Sequence, residues 1–189
     1  MDNYTEDRIF EKADFTLDPL PLGVYEQCSF HHCNFDQSDL SDIHFVECHF
    51  KSSNLSRVKL PKTSFRDVTF EDCKMLGLHF EDCNEFLLTM KFDRCILNYS
   101  SFDGLKLQHI SFLNSTLHET GFVDTDLSQA VFSNCDLQGS VFRQCIMDKA
   151  DFSTAYNYSI DPEHNRLKKA RFSLQGLPGL LDKYDIVLE

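Results

Sequence analysis

The sequence predicts a solenoid, a chain wound in coils around a column of its own side chains, and three patterns predict it. Every fifth residue from Phe92 to Phe152 is large and apolar: Phe92, Leu97, Phe102, Leu107, Phe112, Leu117, Phe122, Leu127, Phe132, Leu137, Phe142, Met147 and Phe152. A helix repeats its apolar face every 3.6 residues or so and a strand every two, so a strict period of five means that the chain turns a corner at each repeat and sends one side chain inward. An earlier register of the same period runs from Phe10 through Phe15, Leu20, Tyr25, Phe30, Phe35, Leu40, Phe45, Phe50, Leu55, Leu60, Phe65, Phe70 and Met75 to Phe80, and sixteen of the eighteen phenylalanines fall on the two registers. The third pattern is a second column two residues before each of these positions, small or apolar from Cys28 onward.

Taken in order, the opening stretch MDNYTEDRIF lacks the basic and apolar regions of a signal peptide. No window approaches the roughly 18 apolar residues of a membrane span, so the expectation is a soluble, cytoplasmic protein that makes no membrane contact. Between Leu17 and Val24 the prolines Pro19 and Pro21 interrupt the polar flanks while the register survives, which predicts an irregular corner in an early coil.

All eight cysteines (Cys28, Cys33, Cys48, Cys73, Cys83, Cys95, Cys135, Cys145) lie in the second column and none lies elsewhere. They read as small apolar fillers of the interior. A zinc site needs convergent ligands at spacings such as C-x2-C, and no such pair occurs, so no metal or other cofactor is expected. The remaining positions of each five are mostly polar and face solvent.

The two registers do not join. Twelve residues rather than ten separate Phe80 from Phe92, so two extra residues lie within 81–91. Either a bulge packs Phe86 or Leu88 onto the core, or Glu85, Phe86, Leu87 and Leu88 project toward a partner, since loops on rigid scaffolds often carry function. Past Phe152 the pattern loosens over Asn157 and returns at Leu167 and at Ala170, Arg171 and Phe172, leaving Asp161 to Asn165 as a polar corner. Leu177, Leu180, Leu181 and Tyr184 then recur at helical spacing, with Pro178 suited to a first turn, which predicts a short amphipathic helix over the open end. Ile186, Val187 and Leu188 follow as further apolar residues. Residues 1–172 are thus read as the coil and 173–189 as its cap and dimerisation segment.

Segments such as Ala13-Asp14-Phe15, Ser38-Asp39-Leu40, Ser53-Asn54-Leu55, Thr125-Asp126-Leu127 and Ala150-Asp151-Phe152 resemble the A(D/N)LXX unit of pentapeptide repeat proteins, over about Phe10 to Phe172. The resemblance implies an all-β, right-handed quadrilateral β-helix with four pentapeptides per coil. This chain departs from the pattern by using Cys, Ser and Thr where Ala is commonest, and by Leu78, Leu105 and Ile110 in the second column. Twenty residues per coil at the roughly 4.8 Å spacing of strands gives about eight coils and a rod of roughly 40 Å. Phe92, Phe112, Phe132 and Phe152 are expected to stack, with Phe102, Phe122 and Phe142 opposite them and Leu97, Leu117 and Leu137 on a third side.

No catalytic constellation is present. The histidines inside the repeats fall at outward positions, and neither a phosphate loop nor a nucleophile elbow occurs. Glu47 and Asp67, twenty apart, form a pair of vertically adjacent carboxylates on an open wall, a candidate for partner binding rather than acid-base chemistry.

There are 30 Asp and Glu against 18 Lys and Arg, a net charge of −12, which argues against direct nucleic acid binding and for a basic partner. Similarity to quinolone-resistance pentapeptide proteins of the Qnr and MfpA type implies a DNA mimic that binds a type II topoisomerase, DNA gyrase or topoisomerase IV. It also implies a homodimer joined through the C-terminus at Leu177, Leu180, Leu181, Tyr184 and Ile186. Such a dimer would carry one net charge per roughly 3.3 Å against one per roughly 1.7 Å for duplex DNA. Lys51, Arg57, Lys59, Lys62 and Arg66 predict a basic cluster on coils three and four. The competing reading is a general interaction scaffold with an unrelated protein partner.

Overall fold

The local unit is a corner. In the computed structural model, which describes residues 3–187, the residue two past each inward side chain takes a left-handed conformation at nearly every repeat. Twenty-six non-glycine residues have φ between 49° and 65°, among them Gln37, Glu47, Asp67, Tyr99, Glu119 and Lys149. The left-handed well is costly for L-residues, so each corner holds only because the side chain before it is locked in the core.

Coils stack in parallel with a fixed offset. Phe10 pairs in register with Phe30, Phe30 with Phe50 and Phe50 with Phe70, each twenty residues on. The longest ladder has nine strands: β2 (Ile9–Glu11), β4 (Ser29–His31), β6 (His49–Lys51), β8 (Val68–Glu71), β9 (Met90–Asp93), β10 (Ser111–Leu113), β12 (Val131–Ser133), β14 (Asp151–Phe152) and β15 (Arg171–Phe172). This is the first face of the rod. The second face carries Phe15, Phe35, Leu55, Met75, Leu97, Leu117 and Leu137 inward. The third carries Leu20, Leu40, Leu60, Phe80, Phe102, Phe122 and Phe142, and the fourth Tyr25, Phe45, Phe65, Leu88, Leu107, Leu127 and Met147. All but Leu88 are buried.

The expected stacks form. Phe92, Phe112, Phe132 and Phe152 lie with ring centroids 5.1, 5.0 and 4.7 Å apart, and Phe80, Phe102, Phe122 and Phe142 stack opposite at 4.4, 5.3 and 5.0 Å. Rings from the two columns meet edge to face, as Phe112 and Phe122 do at 6.1 Å, the arrangement that aromatic quadrupoles prefer.

The second column does more than fill space. Thr63 Oγ1 donates to the Leu40 carbonyl at 2.8 Å, Ser53 Oγ to Phe30 at 3.1 Å, Thr125 Oγ1 to Phe102 at 3.0 Å and Cys73 Sγ to Phe50 at 3.4 Å. Each donor reaches the carbonyl of an inward residue one coil below, so Ser, Thr and Cys supply hydrogen bonds that alanine cannot.

The proline stretch is irregular as predicted, with Leu20 inward and the Tyr25 hydroxyl donating to the Pro21 carbonyl at 2.7 Å. At the far end Asn157 points out in a left-handed turn, and Tyr158, 4% exposed, takes over as the plug.

The cap differs from the amphipathic helix the spacing predicts. It consists of two short 3-10 turns, Leu177–Leu180 and Asp182–Tyr184, ended by left-handed Asp185. Backbone contact explains the difference. A Cβ at Gly176 would lie 1.9 Å from the Tyr158 hydroxyl and one at Gly179 2.1 Å from the Tyr158 carbonyl, while Ile160 N–H donates to the Gly179 carbonyl at 2.8 Å. The glycines that permit this approach interrupt the helix. Leu180 packs on the core and Leu181 is half-buried, whereas Leu177, Tyr184 and Ile186 are exposed. Leu188 lies outside the described residues.

Candidate interaction surfaces

The register break sits on the fourth face of coil four. The ladder crosses it with an offset of twenty-two, Phe70 pairing with Phe92. The two extra residues leave as a bulge closed by Thr89 N–H donating to the Phe65 carbonyl at 2.9 Å and Val68 N–H to the Thr89 carbonyl at 3.0 Å. Leu88 packs on the core instead of projecting, while Phe86 and Leu87 stand out at 65% and 60% exposure. The Arg66 guanidinium lies over the Phe86 ring at 5.3 Å, so the knob is an aromatic ring backed by a cation, with Glu85 exposed beside it.

Glu47 and Asp67 lie one above the other at the corner between the fourth and first faces, both exposed and left-handed, and Glu47 accepts from Gln27 Nε2 at 2.9 Å.

The expected basic cluster is dispersed, because successive positions in a coil face different directions. Lys51 pairs with Glu71 at 3.1 Å on the first face and Arg57 with Asp36 at 3.1 Å on the second, Lys59 and Lys62 lie on the third, and Arg66 covers Phe86 on the fourth.

Acidic charge is unevenly compensated. On the first face Arg94 contacts Glu71, Asp72 and Asp93 at 2.6, 2.7 and 2.6 Å. The Lys51 hydrogen bond to Glu71 and the Arg94 hydrogen bond to Asp72 hold both carboxyls below their usual range. On the third face Glu81, Asp82, Asp103 and Asp124 span three successive coils, and among the described residues no Lys or Arg side chain forms an ion pair with any of their carboxylates, although His79 Nδ1 lies 2.9 Å from Glu81. Sequence reading along single columns misses this patch, since its members occupy two neighbouring columns and merge only when the face is viewed whole.

At the cap, Lys183 bridges Asp161 and Glu163 at 2.6 and 2.7 Å, and the Tyr184 hydroxyl donates to Glu163 at 2.9 Å. These contacts fasten the last turns to the polar corner. Leu174, Leu177, Ile186 and Val187 remain exposed at the same end of the rod.

The cysteines are all buried and unpaired, and burial pushes the Cys48 thiol up to about 12 and the Cys135 thiol up to about 11, away from nucleophile or metal-ligand behaviour. Among the described residues no group of three His, Cys, Asp or Glu side chains could hold a metal ion, and no helix is long and apolar enough to cross a membrane.

The comparisons agree with this geometry. Residues 25–85 and 47–122 match the pentapeptide repeat region, and residues 125–156 match pentapeptide repeats. Comparison with curated protein sequences finds no match. Among solved structures, full-length QnrB1, described as a plasmid-mediated fluoroquinolone resistance protein, is similar with a TM-score of 0.65 at 14% identity, over 97% of this chain and 100% of that one. Two trypsin-treated QnrB1 variants match with TM-scores of 0.64 at 14% and 15% identity, over 100% of this chain and 98% and 100% of theirs. At such identities the likeness shows a shared fold. With its five-residue repeat, interrupted once between Phe80 and Phe92, and its sequence matches over most of its length, the chain belongs to the pentapeptide repeat family.

Proposed function

We propose that the protein is a non-enzymatic binding module that imitates duplex DNA and occupies the DNA-binding surface of DNA gyrase or topoisomerase IV, relieving quinolone inhibition of the enzyme. The observation that carries this reading is the third face, where Glu81, Asp82, Asp103 and Asp124 present carboxylates without Lys or Arg partners over three coils. The likeness in fold to QnrB1 supports the same reading. A basic saddle that accepts phosphates would meet this face through unpaired charge, whereas the ion pairs of the first face would first have to be broken. The Glu85, Phe86 and Leu87 knob on the neighbouring fourth face would add an apolar anchor beside the charged contact.

The test is gyrase supercoiling with and without a fluoroquinolone. The expected result is inhibition or drug relief at micromolar protein, weakened at least tenfold in Asp103→Lys with Asp124→Lys. Absence of both effects for the wild type overturns the topoisomerase reading.

The alternative, a scaffold for an unrelated protein partner, is favoured by the limits of the acidic patch, which gives way to Lys59 and Lys62 on one side and Arg143 on the other. A failed supercoiling test leaves this reading standing.

The exposed Leu177, Tyr184 and Ile186 at the rod's end support end-to-end homodimerisation, with Leu180 and Leu181 shaping the surface from beneath. Ile186→Asp is expected to halve the mass seen by light scattering. A wild type that is already monomeric overturns the dimer.

A further inference from the structure

The second face carries a notch whose chemistry runs against the charge of the molecule. Its corner column reads Gln37, Arg57, Gly77 and Tyr99, so one corner in the series lacks a side chain. Gly77 is left-handed, with φ of 64°, and its missing side chain leaves a cavity of about 470 Å³ between Arg57 and Tyr99, floored by half-buried Leu76.

The lining holds donors with capacity to spare. Lys74 has no carboxylate within 4 Å among the described residues. Arg57 holds Asp36 through Nη2 alone, at 3.1 Å to each oxygen. Asn54 spends its side-chain oxygen on the Ser56 N–H at 3.1 Å, and the Ser56 hydroxyl accepts from the Leu76 N–H at 3.4 Å. The carboxylate in the notch, Asp36, is already engaged by Arg57 and Gln37. What remains is an ammonium, guanidinium N–H groups, an amide NH2 and a tyrosine ring 60% exposed, beside an aliphatic floor.

We propose that this notch docks an acidic, aromatic-bearing peptide segment of a partner protein. A carboxylate side chain would bond Lys74 and Arg57, and a neighbouring large apolar side chain would lie against Leu76 and the Tyr99 ring. Charge complementarity selects this occupant. In a chain of net charge −12, a concavity offering only spare donors repels little from an anionic segment and would leave a basic one unpaired. The site is independent of the topoisomerase reading, since that surface binds through acidic charge on another face.

The experiment titrates the whole protein into a panel of fluorescein-labelled hexapeptides in which a glutamate stands one, two or three residues from a phenylalanine, read by anisotropy. At least one member is expected to bind saturably, at least tenfold more weakly to Lys74→Glu and to Gly77→Gln, which fills the notch with a residue that the same column carries in the same conformation two coils away, at Gln37. Replacing the peptide glutamate by glutamine should weaken binding to the wild type and make little difference to Lys74→Glu. Unchanged thermal unfolding of both variants confirms that the coil is intact. Two results overturn the proposal. One is no saturable binding up to millimolar protein, or binding indifferent to both substitutions. The other is self-association in sedimentation that Lys74→Glu abolishes, which would assign the notch to the Glu85, Phe86 and Leu87 knob of a second copy.

Discussion

The coils before the register break and those after it solve the same packing problem differently. In coils two and three the rings occupy adjacent faces, with Phe45 against Phe50 at 5.2 Å and Phe65 against Phe70 at 5.6 Å. From coil four onward they occupy opposite faces, with Phe80 against Phe92 at 5.8 Å and Phe122 against Phe132 at 5.9 Å. The extended backbone moves with them. Before the break the fourth face bears strands β3 (Gly23–Glu26), β5 (His44–Val46) and β7 (Ser64–Arg66). After it the third face bears β11 (Gly121–Val123) and β13 (Val141–Arg143). The face that loses its rings closes into turns, as where Ile110 N–H donates to Leu107 and Ala130 N–H to Leu127, at 3.2 and 3.0 Å. On the fourth face the rings of Tyr25, Phe45 and Phe65 thus accompany an extended edge and the later leucines a tight corner, although a ring can also sit at a tight corner, as where Ser38 N–H donates to the Phe35 carbonyl at 2.8 Å on the second face. The two-residue bulge stands where the second aromatic column leaves the fourth face for the third.

The comparison is broken most severely by deletion. Removing Glu85 and Phe86 brings Leu87 five residues after Phe80 and five before Phe92, restoring an unbroken period with an apolar residue inward. Removing Phe86 and Leu87 places Glu85 in the same slot. The first deletion should keep the fold and both ring arrangements. The second should lose about 3–5 kcal/mol in urea unfolding, the cost of a buried charge without a partner. Equal stabilities would mean that the restored five-residue spacing does not force the residue in that slot to face inward.

Ring removal comes next. Phe45→Ala and Phe122→Ala, one from each arrangement and both fully buried, should each cost roughly 3–5 kcal/mol in chemical denaturation. A negligible loss at either would show that its face is not part of the common core.

A smaller effect isolates the second column. Thr63→Val and Thr125→Val keep shape and volume but delete the donors to Leu40 and Phe102. Both carbonyls retain a backbone donor, Ile43 N–H at 3.1 Å and Leu105 N–H at 3.4 Å, so each change should cost only about 1 kcal/mol. Matching losses would mean that the hydrogen-bonding column works independently of where the rings lie.

The fold was legible because a solenoid repeats one local decision, and Phe92 to Phe152 states it at each fifth residue. The opposed stacks followed from counting in twenties. The cap was not legible, since apolar spacing at Leu177, Leu180 and Leu181 is the same whether or not the backbone must approach Tyr158, and only the contact shows why Gly176 and Gly179 prevail. The acidic patch and the notch were hidden for a related reason. Asp82 and Asp103, or Lys74 and Tyr99, are far apart in sequence and become neighbours through the offset of the coils. Gly77 in particular has no neighbours in sequence that mark it as a gap.

The left-handed corners supply the last and smallest test, at the junction of the two halves. Leu87 holds φ of 58° while Glu85, two residues before it, is exposed rather than locked in the core, so it accepts the strain of that conformation without the inward anchor that precedes the other corners of the coil. Asparagine tolerates the same conformation, and its short polar side chain suits solvent. Leu87→Asn should therefore raise stability by about 0.5–1 kcal/mol, measured by thermal unfolding. The same substitution removes half of the knob's apolar tip. A variant that is more stable yet weaker in the supercoiling assay would mean that the strain at Leu87 is kept for binding. A gain in stability with unchanged inhibition would leave Phe86 as the knob's working residue, and a loss of stability would show that Leu87 packs on the bulge beneath it.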